Sequence, residues 1–464
     1  MTFKGMAGMK HKLSAVALAA LLAGCAVGPN YETPVLGLPA QWLGLGAPSS
    51  LVADAEAARN DVIWWRVYSD PTLDALMVQA LERNGDLRMA QAAVAEARGA
   101  RLAANAALLP AVDATAQGSR GDRNAAGTLG TSSSAGLEAS WEIDLFGGNR
   151  RAAQAARARL GGAVAEAEYT RIVLLAEVAI QYLNVRQLQQ QIDIARKNLD
   201  DQQQTLRLVE AQFNEGVVSP LVVAQNQALA ANTAAQIPQR EADLSAAMNT
   251  LGVLVGAQPA AIAAQLGEAH TVPVATPRVL IDTPASVIGK RPDVRVAERA
   301  LQAAVADQGV AFANWFPRVS LSGFFGLTDY GNGNDREGWN VGGVVSLPIL
   351  DFGRVRALVR QADARQQRAL ANYEQVVLSA LADVETRMTA YVKAVEALAR
   401  LTDAADASRE AFRLATLQYN EGVASTLEVL TAEQTKLAAE SAEAQGRAAV
   451  GQQLAALYRA LGGF

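Results

Sequence analysis

Reactive side chains are nearly missing from this chain. It has one cysteine, Cys25, and two histidines, His11 and His270, among 464 residues. A lone cysteine closes no intrachain disulfide, and two distant histidines with no cysteine beside them assemble no metal or nucleophilic constellation. Ile288-Gly289-Lys290 lacks the upstream glycine of a phosphate-binding loop. Catalysis and a bound cofactor are therefore not expected. A net charge of −5 offers no basic surface for nucleic acid. Aromatics make up only 5% of the chain, and the apolar half is dominated by alanine, which suits closely packed long helices better than one large globular core. Proline is absent between positions 111 and 219 and again after Pro348, so nothing breaks a helix there.

The N-terminus carries an address. Lys4, Lys10 and Lys12 precede an apolar stretch, Leu13 to Gly24, too short to span a bilayer. It ends in Leu22-Ala23-Gly24-Cys25, which resembles a bacterial lipobox whose thiol is acylated after cleavage. The alternative is an ordinary signal peptide with an incidental cysteine. In the oxidising periplasm an unpaired Cys25 favours the lipid-bearing reading. Ala26, rather than Asp, is similar to the residue that sorts lipoproteins to the outer membrane.

The mature chain is written twice, about 206 residues apart. Phe213-Asn214-Glu215-Gly216-Val217-Val218-Ser219-Pro220-Leu221 returns as Tyr419-Asn420-Glu421-Gly422-Val423-Ala424-Ser425-Thr426-Leu427. Trp141 to Gly147 returns, loosely and with a one-residue slip, as Ser346 to Gly353, Leu109-Pro110 as Phe316-Pro317, and Asp86-Leu87-Arg88 as Asp293-Val294-Arg295. A duplication that repeats shape but no reactive group points to a wall or a channel.

Each repeat reads as helix, strand, loop, strand, long helix, turn, helix. Val112, Ala114 and Ala116 alternate with Asp113, Thr115 and Gln117, and Leu137, Ala139, Trp141, Ile143 and Leu145 alternate with Glu138, Ser140, Glu142 and Asp144. The spacing predicts a hairpin with one apolar and one acidic face, with a loop over Gly118 to Ser134. The second copy runs Val319 to Thr328, a loop over Asp329 to Gly338, then Trp339 to Leu350. Such strands suit an outer-membrane barrel or a soluble sandwich. From Leu174 through Val178, Gln181, Val185, Leu188, Ile192, Ala195, Leu199, Gln202, Leu206 and Val209 to Phe213, gaps of four and three alternate. That period predicts left-handed coiled-coil packing, repeated more weakly from Ala380 to Tyr419. Gly216 and Gly422 suit left-handed C-caps, and Ser219 and Ser425 suit caps of the helices that follow.

Four strands cannot close a barrel, and an open edge cannot sit in lipid. Two chains would supply eight strands and three would supply twelve; the sequence physics does not choose. The chain resembles the outer-membrane factor (TolC-like) family, in its NodT-type lipoprotein branch. The resemblance rests on Trp64-Trp65 with Asp70-Pro71 and Leu73, Asn84 with Asp86-Leu87 and Ala90, Ile288 with Lys290-Arg291-Pro292-Asp293-Val294-Arg295 and Glu298, Phe316-Pro317, Pro348 with Asp351 and Gly353-Arg354, and Tyr419 with Gly422, Ser425 and Leu427. It implies an α+β membrane protein: a homotrimer with a 12-stranded β-barrel in outer-membrane lipid and a 12-helix periplasmic tunnel. It also implies docking to a periplasmic adaptor (membrane fusion) protein and an inner-membrane pump of the resistance-nodulation-division type, in an efflux system that expels drugs or other small toxic solutes.

The resemblance places the adaptor-facing tip at Phe213, Gly216, Ser219, Leu221, Tyr419, Gly422, Ser425 and Leu427. Many relatives lock that tip with a basic residue before the aromatic and an acid about a dozen positions later; Gln418 and Thr431 stand there, so that lock is absent. Glu421, Glu428 and Glu433 either ring the entrance or are simply solvated. Asp113, Glu138, Glu142 and Asp144 would face a cation-favouring lumen. Trp141, Phe146, Trp315, Phe316 and Trp339 would form an aromatic girdle or simple packing. The expected organisation is a signal peptide (1–24), a lipid-anchored linker (25–63), a first repeat (64–258) with a hairpin at 112–146 and a helical hairpin at 149–255, an inter-repeat linker (259–284), a second repeat (285–458) with a hairpin at 318–350 and a helical hairpin at 353–458, and a tail (459–464). A type I protein secretion duct is the competing transport reading. A coiled-coil lipoprotein rod is the structural alternative, though it has no use for alternating hairpins.

Overall fold

The computed structural model describes residues 26–35, 37–43, 63–122, 129–275, 279, 281–329 and 336–463. Cys25 and its expected lipid lie outside them. After a 3-10 turn at Trp64–Tyr68, the elements are α1 (Pro71–Arg83), α2 (Gly85–Ala106), β1 (Ala111–Asp122), β2 (Leu129–Ile143), α3 (Gly148–Asn214), α4 (Pro220–Val255), α5 (Pro259–Leu266), α6 (Pro284–Lys290), α7 (Pro292–Ala313), β3 (Arg318–Asp329), β4 (Arg336–Ser346), α8 (Arg354–Asn420) and α9 (Thr426–Ala460). The duplication is exact in length where it matters most: α3 and α8 each run 67 residues. Among the described residues no single helix is long and apolar enough to cross a membrane.

Local chemistry accounts for the boundaries. The Asp70 carboxylate accepts from the Thr72 and Leu73 amides at 2.8 and 3.2 Å, and Pro71 opens α1 where no amide is needed. Asn84 separates α1 from α2; its Oδ1 accepts from Leu87 N at 2.9 Å while its Nδ2 donates to Leu254 O at 2.9 Å. One side chain thus starts a helix and ties it to α4.

Two compact units cut across the repeats, each drawing on both. The first takes Met1–Leu36, Gln91–Glu166 and Arg295–Val376. It holds one antiparallel sheet of order β1-β2-β3-β4. The Gly/Ser/Thr-rich segment expected as loop from Gly118 to Ser134 is strand on both sides: Gln117 pairs with Ser134, Ser119 with Ser132, and Gly121 with Gly130. Small residues pack little, but their backbone groups can pair across the hairpin as well as those of any residue, and backbone pairing carries the hairpin further than side-chain pattern suggests. The last strand ends at Ser346 rather than Leu350. Pro348 has no amide to continue the ladder.

An N-terminal strap completes this unit. Arg151, 4% exposed, donates to the carbonyls of Ala26, Val27 and Gly28 at 3.3, 3.1 and 3.1 Å, to Asn30 Oδ1 at 3.0 Å and to Gln154 Oε1 at 3.0 Å. Gly28, at φ +87°, lies so close to Gly309 that a Cβ would sit 2.7 Å from its Cα.

The second unit takes Gly37–Ala90, Ala167–Val294 and Val377–Phe464. Its core joins Trp64, Trp65, Leu73, Leu76, Tyr182, Leu183, Leu251, Tyr391 and Leu454. Trp64 stacks on Tyr458 with ring centroids 5.0 Å apart, and Tyr68 Oη donates to Gly451 O at 2.6 Å. The segment expected to be a linker, 259–284, contributes side chains to the core in its described residues: α5 buries Ile262 and Leu266, and Val272, Ala275 and Val279 are buried after it. Arg186, 1% exposed, holds it by donating to Glu268 O at 2.7 Å, and Gln189 donates to Leu266 O at 2.5 Å. The heptad reading matches burial on α3 at Val178, Val185, Ile192, Ala195, Gln202 and Val209, and on α8 at Val384, Tyr391, Ala405 and Ser408.

Candidate functional site

In the strand unit the register gathers most of the four strands' apolar positions on one face, Phe324 and Val344 excepted. Val112 lies opposite Ala139, Ala139 opposite Gly323, and Gly323 opposite Val341; Ala114, Leu137, Phe325 and Trp339 form a parallel row. Trp339 is 76% exposed and Val341 74%, on a face that is largely uncovered among the described residues. The other face carries Asp113 directly opposite Glu138, and Glu142 opposite Ser320. Three of the four acids expected on that face are there. Asp144 is not: β2 ends at Ile143, and the Asp144 carboxylate accepts from the Arg150 amide at 2.8 Å and its Nε at 3.3 Å, holding the start of α3. The alternation misassigned it because strand and helix meet there.

The polar face also carries an unexpected aromatic. Phe324 covers Gly136 and Gly326; a Cβ on either would lie 2.9 Å from its ring. The two glycines give the ring room to lie against the sheet. Of the other aromatics, Phe146 stacks on Phe316 at 4.7 Å and Trp141 Nε1 donates to Leu108 O at 3.1 Å, so these are packed within the unit. Trp315 and Trp339 remain exposed.

In the helical unit the two turns are superimposable in their bonding. Gly216 at φ +76° and Gly422 at φ +75° take the left-handed conformation. Gly216 N donates to Phe213 O and Val217 N to Gln212 O, at 2.9 and 2.8 Å; Gly422 N and Val423 N donate to Tyr419 O and Gln418 O, at 3.0 and 2.9 Å. Each satisfies helix-end carbonyls with a paired reverse bond. The caps differ. Ser425 forms a capping box with Glu428, whereas Ser219 caps by position alone and is followed by Pro220. Val217, Leu221, Val423 and Leu427 are 58–76% exposed, an apolar rim on otherwise polar turns.

Two contributors were not legible beforehand. Gln212 accepts a bond from Tyr419 Oη at 2.9 Å and so joins the turns. Glu433, expected as an entrance acid or a solvated one, is 1% exposed, with neither oxygen hydrogen-bonded. Burial pushes its carboxyl up to about 7; Lys436 and Gln202 favour the charged form, and Asp201 opposes it. Gln202 beside it is buried with both amide atoms unpaired. Glu421 and Glu428 are exposed. The Glu428 carboxyl lies below its ordinary value because Ser425 donates to it from backbone and side chain.

A sheet with one apolar and one acidic face, joined in sequence to paired helical hairpins, defines a membrane-channel subunit. The family model described as outer membrane efflux protein matches residues 76–257 and 283–463, and the chain belongs to that family. It is 34% identical to the pyoverdine export outer membrane protein OpmQ of Pseudomonas aeruginosa, over 97% of this chain and 96% of that one. It is 31% identical to nodulation protein T of Rhizobium leguminosarum bv. viciae, over 96% and 91%. Among solved structures, the outer-membrane channel OprN superposes with a TM-score of 0.88 at 34% identity, covering 95% of this chain and 99% of that one. The open state of the Neisseria gonorrhoeae MtrE outer membrane channel gives 0.80 at 29% identity, over 94% and 98%.

Proposed function

We propose that three copies of this chain form the outer-membrane exit duct of a tripartite efflux system. The observation that carries this is the open four-stranded sheet: apolar on one face, acidic on the other, with β1 and β4 unpaired at its edges. Lipid forbids such edges, and twelve strands from three chains suit a wide polar lumen. Asp113, Glu138 and Glu142 then line a lumen that favours cations. Cys25 carries the lipid that anchors the chain, a reading supported by the lipobox and by 29% identity to the probable outer membrane lipoprotein SilC of Salmonella typhimurium.

The Gly-turned tips, Phe213 to Leu221 and Tyr419 to Leu427, receive the hairpins of a periplasmic adaptor coupled to an inner-membrane pump of the resistance-nodulation-division type. Their exposed Val and Leu side chains supply the apolar contact, and the adaptor favours the dilated tip. The cargo is small and toxic; relatives are named for pyoverdine export and for toluene efflux. The test is Gly216→Trp and Gly422→Trp beside Gly216→Asn and Gly422→Asn. Asn tolerates the left-handed turn, so the Asn variants keep resistance while the Trp variants lose it with oligomers intact. Full resistance in both Trp variants would refute the docking assignment.

A further inference from the structure

One large aromatic stands where the strand alternation calls for a polar side chain. Phe324 lies on the acidic face, in a row that crosses all four strands. Asp113 is opposite Glu138, Glu138 opposite Phe324, and Phe324 opposite Asn340. The next row along is Thr115, Gly136, Gly326 and Gly338, three glycines side by side. A Cβ on Gly136 or Gly326 would come 2.9 Å from the Phe324 ring, so side chains there would lift it off. Bare backbone lets the ring lie down, half-buried, with one face against the sheet and the other turned away from the strands.

A ring laid flat presents its π-face, which carries the negative end of the ring quadrupole. Directly opposite residues have Cβ atoms about 5 Å apart, which sets the Glu138 carboxylate beside that face. Asp113 stands one strand further, about 10 Å from Phe324. Among the described residues neither carboxylate has a hydrogen bond or an ion pair. Arg336, opposite Thr328 on the same face, is two rows away, about 13 Å along the strands. An aromatic face flanked by carboxylates that nothing neutralises attracts cations, and ammonium groups bearing apolar substituents gain most from it. A hydrated metal ion would use the carboxylates but not the ring.

The duplication supplies this arrangement only once. Ala111 faces Ser140 as Arg318 faces Ser346, so Gln117 holds the place of Phe324 in the first hairpin, and Val344 holds that of Glu138 in the second. Each chain therefore has one such row, complete within its own sheet.

We propose that Phe324, Glu138 and Asp113 form a binding site for organic cations, taking quaternary or alkylated ammonium groups, one site per chain. Its place on a lumen wall rests on the exit-duct reading, and it adds to that reading a class of solute. Binding itself needs only one chain.

Saturation-transfer NMR on the full chain in a non-ionic detergent tests it, with tetraethylammonium as the probe. Phe324→Leu is expected to weaken binding about fivefold, the size of a cation–π contact at a partly exposed ring, while Phe324→Tyr keeps it. Glu138→Gln is expected to weaken it about threefold. Equal binding by wild type and Phe324→Leu overturns the site, and so does an equal loss in the Tyr and Leu variants. A loss confined to Glu138→Gln leaves only an acidic wall and overturns it too. Planar-bilayer recording separates the two readings. Tetraethylammonium lowering potassium conductance more in wild type than in Phe324→Leu supports both. No channels, with a monomer by light scattering, sinks the duct, while the NMR comparison still decides the site.

Discussion

The Tyr419 hydroxyl donates to Gln212 Oε1 at 2.9 Å, a bond between equivalent ends of the two duplicated long helices. It has no reciprocal, since the place of Tyr419 in the first repeat is held by Phe213, which has no hydroxyl. Gln418 and Thr431 can supply no ion pair, and this neutral bond joins the two turns.

Tyr419→Phe therefore loosens the tip without unfolding the helices. One neutral hydrogen bond contributes about 1 kcal/mol, so the opened population rises about fivefold. Single-channel conductance in planar bilayers reads this directly. An unchanged open fraction would assign the closed state to other contacts.

Glu433 makes stability depend on pH in the direction opposite to most carboxylates. Its carboxyl moves from 4.5 to about 7 in the fold, so the neutral form is the one the packed helices favour. Stability is full below the unfolded value and falls as pH rises toward and through the folded one. Glu433→Gln, which keeps the shape and removes the charge, should stabilise by on the order of 2 kcal/mol near pH 8 and by nothing near pH 4. Asp201→Asn should shift the midpoint of the wild-type pH profile downward by removing the anion that opposes ionisation. Melting curves across that range check both; a uniform gain at every pH would mean a packing effect instead.

Arg151 binds five acceptors, three of them carbonyls of Ala26, Val27 and Gly28. Arg151→Ala should release the strap at a cost of roughly 3 kcal/mol, because its partly buried carbonyls lose a charged donor. Arg151→Lys should rescue little, since a point ammonium cannot span that fork. Limited proteolysis of the 26–31 segment reports the release. Equal protection in wild type and Arg151→Ala would show that Gly28 packing alone holds it.

What could be read from residues alone was what repeats or alternates. The helix ends at Asn214 and Asn420 were legible because glycine in a turn has one strong meaning, and the seam on α3 because its spacing repeats. The extent of β2 was not, because Ser132 to Ser134 carry no strand signal and are ordered by their partner strand. Asp144 obeyed the alternation one residue too far. Glu433 could not be distinguished from a solvated glutamate, since only the opposing helices decide which acids lose water. The stretch 259–284 looked like a linker because its prolines begin short helices with few bulky apolar residues, Ile262 and Leu266 in one and Val287 and Ile288 in the other, which only the fold shows to be buried.

The two turns share a backbone but not a stiffness. One is clamped by the Ser425–Glu428 box, while the other relies on Ser219 by position and on Pro220. In a closed ring of three chains, six tips therefore alternate between a braced and an unbraced kind. A partner presenting six identical fingers would meet two grades of compliance, yielding first at one set. The load of opening would pass round the rim in threes, and a machine with near-sixfold symmetry in shape would keep only threefold symmetry in its mechanics.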